Sequence, residues 1–103
     1  MTAGFVVTSA AAENDIEDIA LYISADSTSS AERFGVEFRD ALERIRAFPG
    51  LGRSIPGKPH LHSMRVSARF WRYLIIYRLE NSGVVILRVL HGAMDLRASV
   101  ANL

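Results

Sequence analysis

Hydrophobic residues in the first half of the chain recur with the period of an α-helix. Within residues 10–25, Ile16, Ile19 and Ile23 lie three or four positions apart, the spacing that places side chains on one face of a helix. The carboxylates of this segment come early, where they favour the positive end of a helix. Residues 31–48 carry a second apolar stripe with the same period. The pattern predicts two amphipathic helices, with the whole second stripe in the core.

A short polar segment separates the two predicted helices. It spans residues 26–30, and Ser29 followed by Glu32 is the pattern of a capping box, which predicts that the second helix begins there. Pro49 and Gly50 predict its end. Two amphipathic helices joined by so short a turn favour an antiparallel helical hairpin.

The rest of the chain shows the shorter apolar runs that are typical of β-strands. One precedes the helices, at residues 5–7, and three follow them, at residues 61–66, 71–79 and 84–91. Residues 80–83, Glu-Asn-Ser-Gly, have the composition of a hairpin turn. No connection after the helices is long enough to hold a crossover helix, so the last three strands are predicted to pair antiparallel.

These elements predict an α+β domain. A short N-terminal strand leads into the helical hairpin, and a three-stranded antiparallel sheet follows, with the hairpin covering one of its faces. Residues 49–60 contain three prolines and three glycines and predict a loop without regular structure. A chain of 103 residues has room for one hydrophobic core, so we expect a single domain over residues 1–103.

Composition narrows the class of protein. Half of the residues are hydrophobic and 22% are charged, which suits a folded chain rather than a disordered one. The absence of cysteine excludes disulfides and thiolate metal sites and fits a reducing compartment. No signal peptide is recognisable at the start, and the apolar runs are far shorter than the roughly 20 residues of a membrane span. We therefore expect a cytoplasmic protein with no membrane partner.

Charge is distributed unevenly between the two halves of the chain. Residues 1–46 hold nine carboxylates and four arginines, whereas residues 47–103 hold seven arginines, Lys58 and three histidines against two carboxylates. Arginine presents a planar fork of donors that fits carboxylates and phosphates. The basic half indicates an anionic partner, either a nucleic acid or an acidic protein segment. The alternative is an ordinary solvated surface.

Several segments together resemble one family of small proteins. Residues 15–23 are acidic and then apolar and end in Tyr-Ile, and residues 48–53 contain a Pro-x-x-Gly-Arg exit from the second helix. Residues 64–66 hold a strand arginine, residues 73–78 form an apolar central strand, and residues 86–95 form a closing strand that ends in Val-Leu-His. In this order and spacing they resemble the RelE/ParE toxin superfamily, and its ParE branch more than its RelE branch.

The resemblance implies a toxin that a cognate antitoxin, encoded beside it, keeps inactive, with no cofactor. RelE-type members cut messenger RNA on the ribosome, whereas ParE-type members poison DNA gyrase and stop replication. A gyrase inhibitor that acts by protein binding is our leading expectation, and a ribosome-dependent endoribonuclease is the alternative. A third hypothesis is a toxin-like protein that has lost toxicity and takes part in autorepression with its antitoxin.

A ribonuclease of the RelE type needs a base, an acid and cations that stabilise the charge on the reacting phosphate. Arg65 and Arg88 are the candidate cations, and His91 is the candidate base or acid because a free histidine titrates near neutral pH. The loop holds a single lysine, Lys58, and no aromatic residue follows Tyr77. The catalytic set is therefore incomplete, which favours the binding hypothesis.

Candidate contacts to the target or the antitoxin come from the basic half and the C-terminal stretch. They are Arg65, Arg69, Arg72, Arg88, Met94 and Arg97. For Arg65 an ion pair with an acid of the first helix is an equal alternative. Residues 91–103 form either a binding surface that the core does not need, or a strand extension or helical turn packed on the sheet.

Other conspicuous side chains are assigned structural roles. We expect His91 to make a hydrogen bond to Asp95 or to a backbone carbonyl. Trp71, Tyr73 and Tyr77 are expected in the core or on the strand surface rather than as a platform for stacking bases. His60 and His62 lack enough neighbouring ligands for a metal site.

Overall fold

The computed structural model describes residues 2–92 and 95–103 and confirms the α+β class with its helical hairpin. A short strand precedes two long helices, and four strands and one helical turn follow. The elements are β1 (Val6–Thr8), α1 (Ala10–Asp26), α2 (Thr28–Ala47), β2 (Arg53–Ile55), β3 (Lys58–Arg65), β4 (Tyr73–Glu80), β5 (Gly83–His91) and α3 (Leu96–Ser99). Among the described residues, no helix combines the length and the apolar character that crossing a bilayer requires.

The sheet has five strands in the order β1-β5-β4-β3-β2. Strands β3, β4 and β5 pair antiparallel, as predicted, and residues 80–83 form the hairpin between β4 and β5. The expectation of a three-stranded sheet is incomplete, because the predicted N-terminal strand, β1, pairs parallel with β5, and β2 pairs antiparallel with β3. The helical hairpin thus connects β1 to β2, the two strands at opposite edges of the sheet.

The prediction of a loop over residues 49–60 is wrong in its second part. Arg53–Ile55 forms β2, and β3 begins at Lys58 rather than at residue 61. Pro56 and Gly57 form the turn between them, with Gly57 at φ 81° in the left-handed region. Proline followed by glycine suits the two central positions of a tight turn, so the residues that suggested a loop form a hairpin instead.

The helix boundaries are set by serines other than the predicted one. Ser9 caps α1, and Ser27 caps α2 by accepting a hydrogen bond from the Ser30 backbone N–H at 3.1 Å. The predicted capping box of Ser29 and Glu32 is wrong, since both residues lie inside α2. The break between the helices is Ser27 alone, which holds the two helices in a tight hairpin.

The larger part of the core lies between the helical hairpin and the sheet. Phe34 is buried, and its ring contacts Phe70 and Tyr73 edge-on at centroid distances of 5.2 and 5.5 Å. The second apolar stripe supplies this core as predicted through most of its length. Phe48, at its end, is an exception, because 65% of its surface is exposed.

The other face of the sheet is also covered, by the C-terminal stretch. Val100, after α3, is 1% exposed and belongs to a second apolar cluster with residues of β2 to β5. The Lys58 ammonium donates to the Ala101 carbonyl at 2.9 Å, and a ring nitrogen of His60 lies 3.2 Å from the Leu103 carbonyl. The expectation of one covered face is therefore wrong, and the packing argues against a tail that the core does not need. The alternative of a helical turn packed on the sheet is confirmed.

Candidate functional site

A bulge in β5 directs Arg88 towards the first helix, where Asp15 binds it. Relative to β4, β5 carries an additional residue between Ile86 and Arg88, and such bulges redirect side chains. The Arg88 guanidinium donates to both carboxylate oxygens of Asp15, at 2.7 and 3.0 Å, and the Val89 N–H donates to the same carboxylate at 3.0 Å. The hydrogen bonds that Arg88 donates to Asp15 raise the pKa of Arg88. Asp15 therefore occupies the donor fork of Arg88.

The N-terminus of α1 is attached to the same bulge. The Ser9 N–H donates to the Ile86 carbonyl and the Ser9 hydroxyl donates to the Leu87 carbonyl, each at 2.9 Å. The same hydroxyl accepts the Ala12 N–H at 3.1 Å as the helix cap. Helix and bulge are thus fixed to each other at two places, Ser9 and Asp15.

Arg65 and Arg72 meet on an exposed tryptophan. Half of Trp71 is exposed, and the guanidiniums of Arg65 and Arg72 lie over its ring at 5.5 and 5.2 Å from the centroid. The Arg65 Nη1 also donates to the Trp71 carbonyl. Among residues 2–92 and 95–103, the ion pairs join Arg33, Arg78 and Arg88 to carboxylates, and neither Arg65 nor Arg72 takes part in one. We call Arg65, Trp71 and Arg72 the Arg–Trp surface.

His91 lies beside this surface. With Arg65, Trp71 and Arg72 it lines a depression of about 290 Å³. Its ring lies edge-on to Tyr73 at a centroid distance of 5.4 Å, and burial raises the pKa of that tyrosine. The hydrogen bond expected between His91 and Asp95 or a carbonyl stays a prediction. Of the three ribonuclease candidates, the fold brings Arg65 and His91 together and directs Arg88 to Asp15.

An apolar groove that sequence reasoning missed lies where α2 ends. It has a volume of about 610 Å³ and includes Phe48, Leu51 and Leu79 in its lining. All three are among the exposed large hydrophobic residues of the protein. The sequence did contain a signal for this groove at Phe48. Pro49 and Gly50 end the helix directly after this residue, so its side chain need not lie on the buried face of α2.

The comparisons with known proteins agree with this architecture. A profile described as the ParE toxin of type II toxin–antitoxin systems, parDE, matches residues 6–96. This chain belongs to the ParE toxin family. A solved structure described as the chromosomal ParDE TA system from P. aeruginosa superimposes with a TM-score of 0.68, covering 84% of this chain and 92% of that one at 15% identity. That likeness shows a shared fold. A search of curated proteins found no significant match.

Membership of the family makes this protein a type II toxin and implies an antitoxin as its partner. Among the described residues predicted to contact partners, Arg65 and Arg72 lie together on Trp71, whereas the others lie elsewhere. Arg69 lies over Phe70 at 5.7 Å, and Arg97 lines a depression beside Lys58. Lys58 and Arg65 are the two ends of β3, about 23 Å apart at the rise of a β-strand. Met94 lies outside the described residues.

The structure also shows where the predicted ion pair and the predicted aromatic residues lie. The ion pair that was an alternative for Arg65 is made by Arg88 instead. Tyr73 and Tyr77 are buried, as expected, and Trp71 is the exposed member of the aromatic set. Within the described part of the chain, no group of three His, Cys, Asp or Glu side chains is arranged to hold a metal ion.

Tyr77 joins the sheet of the toxin to the loop that carries the groove. Its hydroxyl donates to the Pro49 carbonyl and accepts the Gly52 N–H, both at 2.8 Å. The His62 ring stacks on the Tyr77 ring at a centroid distance of 5.2 Å. A Cβ at Gly52 would lie 2.7 Å from the Tyr77 hydroxyl, so this close approach requires glycine.

We expect Tyr77→Phe to lower the free energy of unfolding by about 1–2 kcal/mol, because it leaves the Gly52 N–H without its acceptor. Burial raises the pKa of Tyr77, so the folded protein keeps a proton that the unfolded chain releases above about pH 10. Stability should therefore fall as the pH rises past that value, and less steeply in the variant. Urea unfolding at several pH values measures both effects. Tyr22→Phe, at a residue that is 74% exposed, is the control, and an equal effect there would contradict the assignment.

Proposed function

We propose that this ParE-family toxin stops replication by binding DNA gyrase in the cytoplasm, with no chemical step of its own and no cofactor. Its membership of the ParE family supports a gyrase target rather than a ribosomal one. The observation that carries the binding mechanism is the bidentate pair of Arg88 with Asp15.

That pair bears on catalysis because RNA cleavage at the 2′-hydroxyl builds negative charge on the phosphate. Preorganised cations must stabilise this charge while a base and an acid transfer protons. A reacting phosphate would have to displace the Asp15 carboxylate from Arg88, and bidentate pairs of this kind are among the stronger hydrogen-bonded contacts in proteins. Arg65 and His91 alone leave one proton-transfer role unfilled.

Ribosome-dependent cleavage of messenger RNA is the second candidate. The observation in its favour is that Arg65, Arg72 and His91 line one depression, which puts two cations near a group able to transfer a proton. This site would act without Arg88, since Asp15 holds that side chain on the helix side of the sheet.

Two assays on one purified sample separate the candidates. We expect the toxin to suppress supercoiling by gyrase or to cause gyrase-dependent DNA breaks, and to leave messages on stalled ribosomes intact. Message cleavage with normal supercoiling would overturn the gyrase proposal in favour of the ribonuclease. No effect in either assay would point to a family member that has lost toxicity.

Inhibition of gyrase should survive His91→Gln within about twofold. Removing a general acid or base normally lowers a rate by roughly 10²–10⁴-fold, whereas a binding toxin has no such step to lose. Circular dichroism checks that the variant is folded. If the parent cleaves RNA and the folded variant does not, the non-catalytic proposal is wrong.

A further inference from the structure

The Arg–Trp surface is a cationic site with which no carboxylate of residues 2–92 or 95–103 forms an ion pair. Arg33, Arg78 and Arg88 form ion pairs, and each has a carboxylate oxygen within 2.8 Å. Arg65 and Arg72 are exposed and, among the described residues, belong to none of these pairs. Two like charges held on one indole repel each other, and an anionic partner would remove that cost.

The surface is also held in place before any partner arrives. Contact with the Trp71 ring restrains both guanidiniums, and the Arg65 Nη1 is further fixed by the Trp71 carbonyl. A guanidinium has five N–H donors, so that one hydrogen bond leaves most of the Arg65 fork available. Side chains that are already ordered lose less entropy on binding.

The chemistry of the surface favours carboxylates over single-stranded RNA. Proteins that bind single strands stack bases on exposed aromatic rings, but two guanidiniums already lie over the Trp71 ring. Arg65 and Arg72 line one depression, and two planar donor forks in one depression suit the carboxylates of a peptide. Leu74 lines the same depression and offers an apolar contact there.

We propose that the Arg–Trp surface binds an acidic segment of the antitoxin, with carboxylate side chains in the forks of Arg65 and Arg72. This inference rests on the family's antitoxin partner and not on gyrase, so either can fail without the other. Two other predicted contact residues lie outside the site. Arg88 is held by Asp15, and Arg97 lies beside Lys58, at the end of β3 opposite Arg65.

Fluorescence anisotropy with a labelled oligoglutamate peptide tests the site on the purified toxin. We expect saturable binding that Arg65→Gln/Arg72→Gln weakens roughly tenfold. The control Arg39→Gln/Arg46→Gln removes the same charge from exposed positions on α2 and should change affinity less than about twofold. Equal losses in both double variants, or no binding by the parent, would overturn the proposal.

Three further measurements identify the occupant and the geometry. Antitoxin encoded beside the toxin should displace the peptide, and antitoxin that binds without displacing it would contradict the assignment.

Oligouridylate of equal charge should bind more weakly, and tighter binding that is lost in Trp71→Ala would assign the surface to RNA. Arg65→Lys/Arg72→Lys keeps the charge without the fork. We expect it to recover only a minor part of the lost affinity, and full recovery would overturn the fork geometry.

Discussion

Removing residues 96–103 should abolish cooperative folding of the toxin. The deletion takes away Val100, which is buried, and the partly buried Leu96 and Leu103 from the second apolar cluster. Burial of a large apolar side chain contributes about 1.5–3 kcal/mol, so the three together contribute on the order of 4 kcal/mol or more. That loss is comparable with the whole stability of a small domain, about 5–15 kcal/mol. Thermal unfolding followed by circular dichroism measures it.

Single substitutions separate loss of packing from loss of the chain end. Val100→Ala keeps the full length and should cost about 2 kcal/mol through the cavity that it leaves. Asn102→Ala, at an exposed position nearby, should change stability by less than about 0.5 kcal/mol. A truncated protein that melts at the same temperature as the parent would show that the core does not depend on this stretch.

Asp15→Asn should destabilise the toxin by about 2–3 kcal/mol. The change leaves the Arg88 guanidinium uncompensated on the helix side of the sheet, and breaking a partly buried ion pair costs several kcal/mol. The side chains of Asp15 and Arg88 are 16% and 32% exposed, so solvent reduces the cost below that of a fully buried pair. Urea unfolding measures the difference against Glu17→Gln, an exposed change on the same helix.

A double-mutant cycle shows whether the loss belongs to the pair. Asp15→Ala combined with Arg88→Leu removes both charges, so we expect it to be more stable than Asp15→Ala alone. Additive losses in the double variant would mean that Asp15 and Arg88 do not depend on each other. Such a result would also remove the structural reason for excluding Arg88 from catalysis.

Local periodicity was sufficient to predict most of the fold from the sequence. The two helices and four of the five strands follow from the apolar runs that each segment carries by itself. The parallel pairing of β1 with β5 joins residues 78 positions apart, such as Val6 and Val84, and has no local signal. Strand β2 was missed because its three residues lie among prolines and glycines that form its turn. The cover supplied by Val100 depends on tertiary packing alone.

The candidate site was predicted in composition but not in arrangement. Arg65 and Arg88 are both strand arginines, and the sequence does not show which of them meets a carboxylate. Asp15 lies 73 residues from Arg88, and a bulge that the sequence pattern does not reveal directs Arg88 towards it. Trp71 was expected in the core or on a strand, whereas in the fold it collects two guanidiniums on an exposed surface.

The mechanism of inhibition can be tested most directly by titrating a fixed amount of gyrase with the toxin and following supercoiling over time. A toxin that acts by binding should reach its full effect near equimolar amounts, and the residual activity should then stay constant. A toxin that acts by chemistry turns over, so a small fraction of an equivalent would remove all activity if the reaction ran long enough. Saturation near one toxin per binding site is the result that we predict. Progressive loss of activity at substoichiometric toxin would contradict the proposed mechanism.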